Sequence, residues 1–269
     1  MLNDRALGLG NLNQSGSSTT WAPPSAEQVG QRVPPMTDGP VSTWDKGIMT
    51  VSGTASATIT LLVLILASAT VTWISIDDPN NFTGGGMVFG ALIIALVAAL
   101  VGAFKPRAAR FAAPVYAIAE GVVLGAISRI FDAQYNGIVL QAVGATLGVF
   151  TVMLLMYRSK IIRVTNKFRR IVVGATIGLM VFYLASFIFS LFGATPSFIN
   201  GSGPVGILFS VFVAGLAAFN LALDFDMIEQ AAEAKAPSYM EWYCALGLTV
   251  TLVWLYLEIL RLLAKLREN

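Results

Sequence analysis

The chain has 269 residues, of which 56% are hydrophobic and only 12% are charged. An average soluble domain is about 45–50% apolar and about 25% charged, so this composition excludes a soluble globular enzyme and a disordered chain. The formal net charge is +2, which gives no reason to expect nucleic acid as a partner. The sequence contains no histidine, so histidine-based catalytic triads and histidine-ligated zinc sites are excluded as well.

The first 48 residues differ in composition from the remainder of the chain. They are rich in serine, threonine and proline and contain no periodic apolar face, so they bury too little surface to offset the entropy that ordering costs. The segment is also too polar to contain the apolar region of a signal peptide. We therefore predict a disordered N-terminal tail over residues 1–48 and a membrane domain over residues 49–269.

Seven apolar blocks follow, each long enough to cross a membrane. About 20 residues of α-helix span a hydrocarbon core of about 30 Å, and a helix satisfies its own backbone hydrogen bonds in lipid. The predicted fold class is therefore an all-α integral membrane protein, a bundle of seven transmembrane helices. The alternative is six spans plus a re-entrant segment, which would leave the basic C-terminus in the cytoplasm. The blocks cover residues 52–76, 84–104, 111–130, 136–157, 170–193, 204–227 and 241–263.

The distribution of lysine and arginine predicts which side of the membrane each loop occupies. With a cytoplasmic N-terminus, 13 of the 17 basic residues fall in the tail or in loops on the cytoplasmic side, where Lys and Arg are normally in excess. Arg129, Lys265 and Arg267 remain on the other side, and Arg261 lies inside the last span. The expected location is the cell membrane, in a multi-pass arrangement with the C-terminus outside the cytoplasm.

Three consecutive spans contain the motif Gly-x-x-x-Gly, at Gly121–Gly125, Gly144–Gly148 and Gly174–Gly178. Small residues one turn apart let two helix backbones approach closely in a membrane. Three such faces exceed what a single dimer interface needs. We therefore expect these glycines to serve tight packing within the bundle rather than a dedicated dimer face.

Four acidic residues lie within the apolar spans: Glu120, Asp224, Asp226 and Glu258. A charged side chain at the centre of a bilayer costs about 2.5–3.5 kcal/mol on insertion scales, so each acid is a functional candidate. The alternative for each is structural, a hydrogen bond or an ion pair between helices. Arg261 follows Glu258 by three residues and is positioned to neutralise it.

Helical geometry separates the two aspartates of the sixth span. A spacing of two residues corresponds to about 200° around the helix axis, so Asp224 and Asp226 point in nearly opposite directions. The sequence leaves open which of the two faces a central pathway. Asn220 precedes Asp224 by four residues and is expected to share its face.

Polar residues form a stripe on the last span. Such a stripe on an otherwise apolar helix is expected to face the bundle interior rather than lipid, so we expect the last helix to be central. We expect Glu258 to act mainly through Arg261 and Glu120, as a structural or conduction-path charge. The stripe consists of Gly247, Thr251, Glu258 and Arg261.

Three motifs occur in order along the membrane domain: Tyr116–Ile127 with Glu120-Gly121 at its centre, Phe225–Ile228, and Leu255–Leu263. They resemble the early Glu-Gly element, the sixth-span Tyr-Asp-Thr-Gln sequence and the C-terminal Leu-Arg-Leu helix of the Bax inhibitor-1-like (transmembrane Bax inhibitor motif) family. The resemblance covers about residues 50–266. It implies a seven-helix bundle with the last helix surrounded by the other six, and a pH-sensitive calcium leak channel as the function.

In the family, two aspartates form the proton-sensing gate, one on the sixth helix and one on the seventh. The resemblance places the first on Asp226, or on Asp224 if the register shifts by two residues. The second position holds Thr251, and Arg261 matches the family's arginine. The resemblance also makes Asp226 a tentative calcium ligand, since Ca²⁺ takes carboxylate and carbonyl oxygens as ligands.

The expected function is therefore a cation leak with calcium as the transported ion, gated by protonation of buried carboxylates, without a resident cofactor. Burial can raise the pKa of a carboxyl group by up to about 3–5 units, so an aspartate can titrate near neutral pH without any histidine. The alternative is a non-conducting regulator that binds other membrane proteins in the bilayer. No enzymatic activity is expected, because the Tyr-Asp and Gly-x-Gly-Asp motifs of intramembrane aspartyl proteases are both absent.

The charge distribution generates a prediction of orientation. A reporter fused after Asn269 should lie outside the cytoplasm, whereas a reporter in the Arg158–Arg170 loop should lie inside, because that loop alone carries six basic residues. Accessibility of the two reporters to an impermeant reagent in intact cells checks both positions. Cytoplasmic labelling at both would favour six spans plus a re-entrant segment.

Overall fold

The structure, a computed structural model, describes residues 47–76, 84–191, 201 and 203–268. Within these residues, seven helices are long and apolar enough to cross a membrane, which confirms the predicted seven-helix fold. A short 3₁₀ turn, Pro106–Ala108, precedes the third helix. The helices are α1 (Val51–Ser75), α2 (Gly85–Phe104), α3 (Ala109–Gln134), α4 (Ile138–Arg158), α5 (Asn166–Leu191), α6 (Pro204–Glu233) and α7 (Tyr239–Glu268).

Several helices continue beyond the apolar blocks that predicted them. The block 204–227 lies within α6, and the block 241–263 lies within α7; each of these helices has 30 residues. A helix of this length extends about 45 Å, which exceeds a hydrocarbon core of about 30 Å. Hydropathy detects the part of a helix that crosses the hydrocarbon core, and the polar turns beyond that part keep the same backbone hydrogen bonding.

The last two residues of the predicted tail belong to the membrane domain. The backbone N–H of Ser238 donates to the carbonyl of Gly47 at 3.0 Å, and that of Met49 donates to Ala236 at 2.7 Å. Ile48 and Pro237 form an isolated antiparallel bridge between these bonds. Residues 47 and 48 are therefore tied to the loop that precedes α7; residues 1–46 of the predicted tail lie outside the described residues.

The last helix occupies the centre of the bundle, as the polar stripe predicts. It packs against α1, α2, α3, α4 and α6, and it reaches α5 through hydrogen bonds to Tyr183. Its apolar side chains, including Leu248, Leu252 and Leu255, are buried in the main core. The central position follows because α7 carries buried polar groups that lipid cannot satisfy.

The Gly-x-x-x-Gly motifs do not share one role. A side chain at Gly121 would overlap the Ser68 hydroxyl, and one at Gly125 would overlap the backbone carbonyl of Ala69. These two glycines therefore allow α1 and α3 to pack closely, as expected. The expectation of bundle packing is wrong for the other two motifs, because a Cβ there would have no described neighbour within 4 Å: Gly144, Gly148, Gly174 and Gly178.

The glycine contacts predict opposite effects of the same substitution at two sites. Gly125→Ala should destabilise the bundle by about 1–3 kcal/mol, because its methyl group overlaps the backbone of α1. Gly148→Ala is the matched control: it adds a methyl group in open space and should stabilise α4 by about 0.5–1 kcal/mol through helix propensity. Unfolding of both variants in detergent micelles measures the difference, and equal destabilisation would contradict the packing assignment.

Candidate functional site

Asp224 faces the central helix at Gly247 and Thr251. Its Oδ1 lies 3.8 Å from the position that a Cβ at Gly247 would occupy, and the Thr251 hydroxyl lies beside the carboxyl group. The other carboxyl oxygen, Oδ2, is buried without a hydrogen-bond partner among the described residues. The thiol of Cys244 also lies close to the Asp224 carboxyl group. Asp224 is therefore an acid enclosed between α6 and α7 without a cation beside it in the described part of the chain.

Thr251 and Gly247 form the α7 side of this contact. The Thr251 hydroxyl donates to the carbonyl of Gly247, one turn earlier, at 3.1 Å, so it is anchored to its own helix. Gly247 faces the Asp224 carboxyl group, but a Cβ at this position would lie at an ordinary van der Waals distance of 3.8 Å from it, so the approach of α6 does not depend on glycine here. The position that the family resemblance assigns to a second aspartate thus lies opposite Asp224 rather than opposite Asp226.

Asp226 faces away from the central helix, as the 200° spacing predicts. Its Oδ2 accepts hydrogen bonds from the Arg169 guanidinium at 2.5 Å and from the Gln230 amide at 2.6 Å. The Arg169 side chain is 47% exposed and that of Asp226 is 14% exposed, so the pair lies at the rim of the bundle. The family resemblance favours Asp226 as the gate aspartate, whereas in the structure the Arg169 guanidinium forms an ion pair with this carboxylate.

Glu258 and Arg261 form an ion pair on α7, with 2.9 Å between Nη1 and Oε1. Tyr183 of α5 joins them: its hydroxyl lies 3.3 Å from both the Glu258 and the Arg261 atoms. The second carboxyl oxygen of Glu258 is buried and has no partner among the described residues. The structure thus places Glu258 and Arg261 together, as the i, i+3 spacing allows, and uses them to connect α7 with α5.

Glu120 and Asn220 lie in other surroundings than expected. Glu120 is buried in α3, and within the described residues no hydrogen bond or ion pair joins it to Glu258. Asn220 donates to the Thr176 hydroxyl and to the Leu216 carbonyl, both at 2.9 Å, so it faces α5 and not the α7 contact of Asp224. A spacing of four residues fixes a shared side of a helix but not a shared neighbour, so Asn220 and Asp224 have different partners.

The sequence analysis did not identify two charged residues near the ends of α7 as buried contacts. Glu241 accepts hydrogen bonds from the backbone N–H and the hydroxyl of Thr50, each at 2.9 Å. Lys265, which the orientation argument counts as an outer basic residue, is buried and donates to the Gly206 carbonyl and the Ser210 hydroxyl at 3.1 and 3.0 Å. Charged residues at the ends of an apolar block are usually solvated. The packing of α7 against its neighbours shows that these two side chains are buried.

The arrangement does not form a preorganised metal site. No group of three or more acidic or cysteine residues within the described part of the chain converges to hold an ion, whereas Ca²⁺ takes six to eight oxygen ligands in its stable sites. At Asp226, the tentative calcium ligand, the Arg169 guanidinium occupies the carboxylate. A calcium ion at this position would have to displace that cation.

These features define a multi-pass helical membrane protein in which carboxyl groups lie against a central helix. A sequence model of the family described as "Bax inhibitor 1 like" matches residues 11–268, nearly the whole chain. The protein therefore belongs to this family. The match begins within the N-terminal segment, whereas the motif resemblance begins near residue 50. No curated protein and no solved structure matches the chain.

Proposed function

We propose that the protein is a pH-sensitive cation leak channel, with calcium as the transported ion and with the contact of Asp224 against α7 as the gate. The single observation that supports this assignment is the buried Oδ2 atom of Asp224, which has no partner among the described residues. A carboxylate in this state is costly to keep in a helix bundle and marks functional sites in membrane proteins. Membership of the family agrees with the proposal.

The two protonation states of Asp224 would act on the α6–α7 contact in opposite ways. The protonated carboxyl group is neutral and can donate a hydrogen bond across the contact, which keeps α6 and α7 together. The ionised group attracts cations and water to the contact, because a buried charge without a partner is unfavourable. Cation flux should therefore rise with pH as Asp224 ionises.

Asp226 has a different part in this proposal. Its carboxylate shares hydrogen bonds with Arg169 and Gln230, so its charge is balanced in the closed arrangement. The pair holds α6 to the start of α5. We therefore assign Asp226 a positioning role at the rim and leave proton sensing to Asp224.

The first test compares two isosteric substitutions. Asp224→Asn should abolish the pH dependence of Ca²⁺ flux through purified protein in liposomes, because the amide cannot ionise. Asp226→Asn is the control: it changes the same chemical group two residues away and should retain a pH-dependent flux. If Asp226→Asn abolished the pH dependence and Asp224→Asn retained it, Asp226 would be the proton sensor. An unchanged pH dependence in both variants would contradict the channel proposal.

Thr251 generates a second test, because it stands where the family has an aspartate. Two coupled acids titrate in two macroscopic steps, whereas an isolated acid titrates in one. The wild-type flux should therefore follow a single-step pH profile, and Thr251→Asp should convert it to a two-step or shifted profile by placing a carboxyl group opposite Asp224. A two-step wild-type profile that becomes single-step in Glu258→Gln would instead identify Glu258 as the second acid.

A non-conducting regulator that binds other membrane proteins is the second candidate. The observation that favours it is the open space around the glycine pairs of α4 and α5, Gly144–Gly148 and Gly174–Gly178. Such faces let another transmembrane helix approach closely. The liposome assay separates the two candidates, since a regulator of this kind passes no Ca²⁺ at any pH when it is purified alone.

A further inference from the structure

A groove in the side of the bundle lies between α1 and α4. The helix contacts of α1 are with α3, α6 and α7, and those of α4 are with α3, α6 and α7, so the two helices stand apart as opposite walls. The space between them has a volume of about 860 Å³, within the range of about 300–1,000 Å³ that is usual for ligand pockets. Phe225 and Ile228 of α6 and Leu248 and Leu252 of α7 form its floor.

The depth of the groove matches one leaflet of a bilayer. On one wall it extends from Val51 to Leu62, and on the other from Leu147 to Arg158. Each stretch covers about 16 Å of helix, and half of a hydrocarbon core is about 15 Å. Val51 and Leu147 are more than half exposed, so the groove opens sideways to the space that lipid fills. Its shape suits an acyl chain that enters from one leaflet.

The mouth of the groove is basic. Arg158, Lys160 and Arg163 line it at the turn between α4 and α5, and their side chains are exposed. None of the three forms an ion pair with another described residue. The lining also contains Asp226 and Glu229, but Arg169 balances the first and the Tyr157 hydroxyl donates to the second.

The turn that carries these cations is held in place by its backbone. Lys160 adopts a left-handed conformation with φ of 59°, which reverses the chain directly after α4. The N–H groups of Ser159, Lys160 and Ile162 donate to the last carbonyls of α4, and the Arg163 side chain donates to the carbonyl of Lys160 at 3.4 Å. The three basic side chains therefore start from an ordered rim at the polar end of the apolar groove.

We propose that this groove binds one anionic phospholipid, with its phosphate group on Arg158, Lys160 and Arg163 and an acyl chain along the apolar walls. Basic pockets between transmembrane helices are typical sites for anionic head groups, and each Lys or Arg near the membrane surface adds to such attraction. A soluble anion would satisfy the rim but would leave the apolar groove unfilled. A zwitterionic lipid would fill the groove but would bring no net charge to the rim.

Lipid binding to the purified, full-length protein tests the proposal. Native mass spectrometry with phosphatidylglycerol and phosphatidylcholine should show preferential retention of phosphatidylglycerol by the wild type. The triple substitution Arg158→Gln, Lys160→Gln, Arg163→Gln should weaken phosphatidylglycerol binding by roughly 10- to 100-fold. Lys105→Gln, Arg107→Gln, Arg110→Gln is the charge-matched control, because Arg107 and Arg110 lie over aromatic rings at another loop, and it should bind the lipid as the wild type does.

A second pair of variants tests the acyl-chain part of the groove. Ala55→Trp places a large side chain in the groove and should displace the lipid, whereas Leu184→Trp on the exposed face of α5 should not. Thermal unfolding of each variant checks that loss of binding does not reflect loss of folding. The proposal would be overturned if the wild type retained both lipids equally or if the triple variant bound phosphatidylglycerol unchanged. It would also be overturned if inorganic phosphate competed with the lipid to the same extent in the wild type and in Ala55→Trp.

Discussion

The buried polar side chains of α7 are the constraint on which the rest of the bundle depends. A helix that other helices surround cannot exchange a missing partner for water. Thr251 bonds to its own helix, whereas the longer polar side chains of α7 reach partners on the outer helices. These contacts run from one end of α7 to the other, and together they fix its rotation and depth. They join Glu241 to Thr50 of α1, Tyr256 to Ser128 of α3, Glu258 to Tyr183 of α5 and Lys265 to Ser210 of α6. The exposed Arg267 adds a hydrogen bond to Gln141 of α4 at the end of the helix.

The acids Asp224, Asp226 and Glu258 differ in whether a cation lies beside them. Asp226 and Glu258 each have an arginine within ion-pairing distance. The first pair joins α6 to α5, and the second lies within α7 and contacts Tyr183 of α5. Asp224 has a hydroxyl and a thiol as polar neighbours but no cation among the described residues. Removing the partner of a buried charge is far more costly than forming the pair is favourable. This asymmetry is the reason that the unpaired aspartate, rather than the paired one, is the better candidate for a group whose charge changes during function.

Successive residues of α7 serve different surroundings. Leu248 and Leu252 form the floor of the lateral groove, while Gly247 and Thr251, each one residue earlier, lie at the Asp224 contact. A step of one residue corresponds to a rotation of about 100° around the helix axis. The same turn of α7 therefore presents an apolar surface to the groove and a polar surface to Asp224. The same short segment therefore supports both the proposed gate and the proposed lipid site.

The sequence alone determined the number of spans, their approximate ends and the central place of the last helix, because hydropathy and the polar stripe are local properties of each segment. It also separated Asp224 from Asp226, since their angular relation is a property of one helix. Only the tertiary structure decided which aspartate faces α7, which glycines pack, and that Lys265 is buried. These outcomes depend on the rotation of each helix against neighbours far away in the chain. Rotation is set by which polar groups find partners across an interface, and no pattern within a single apolar segment contains that information.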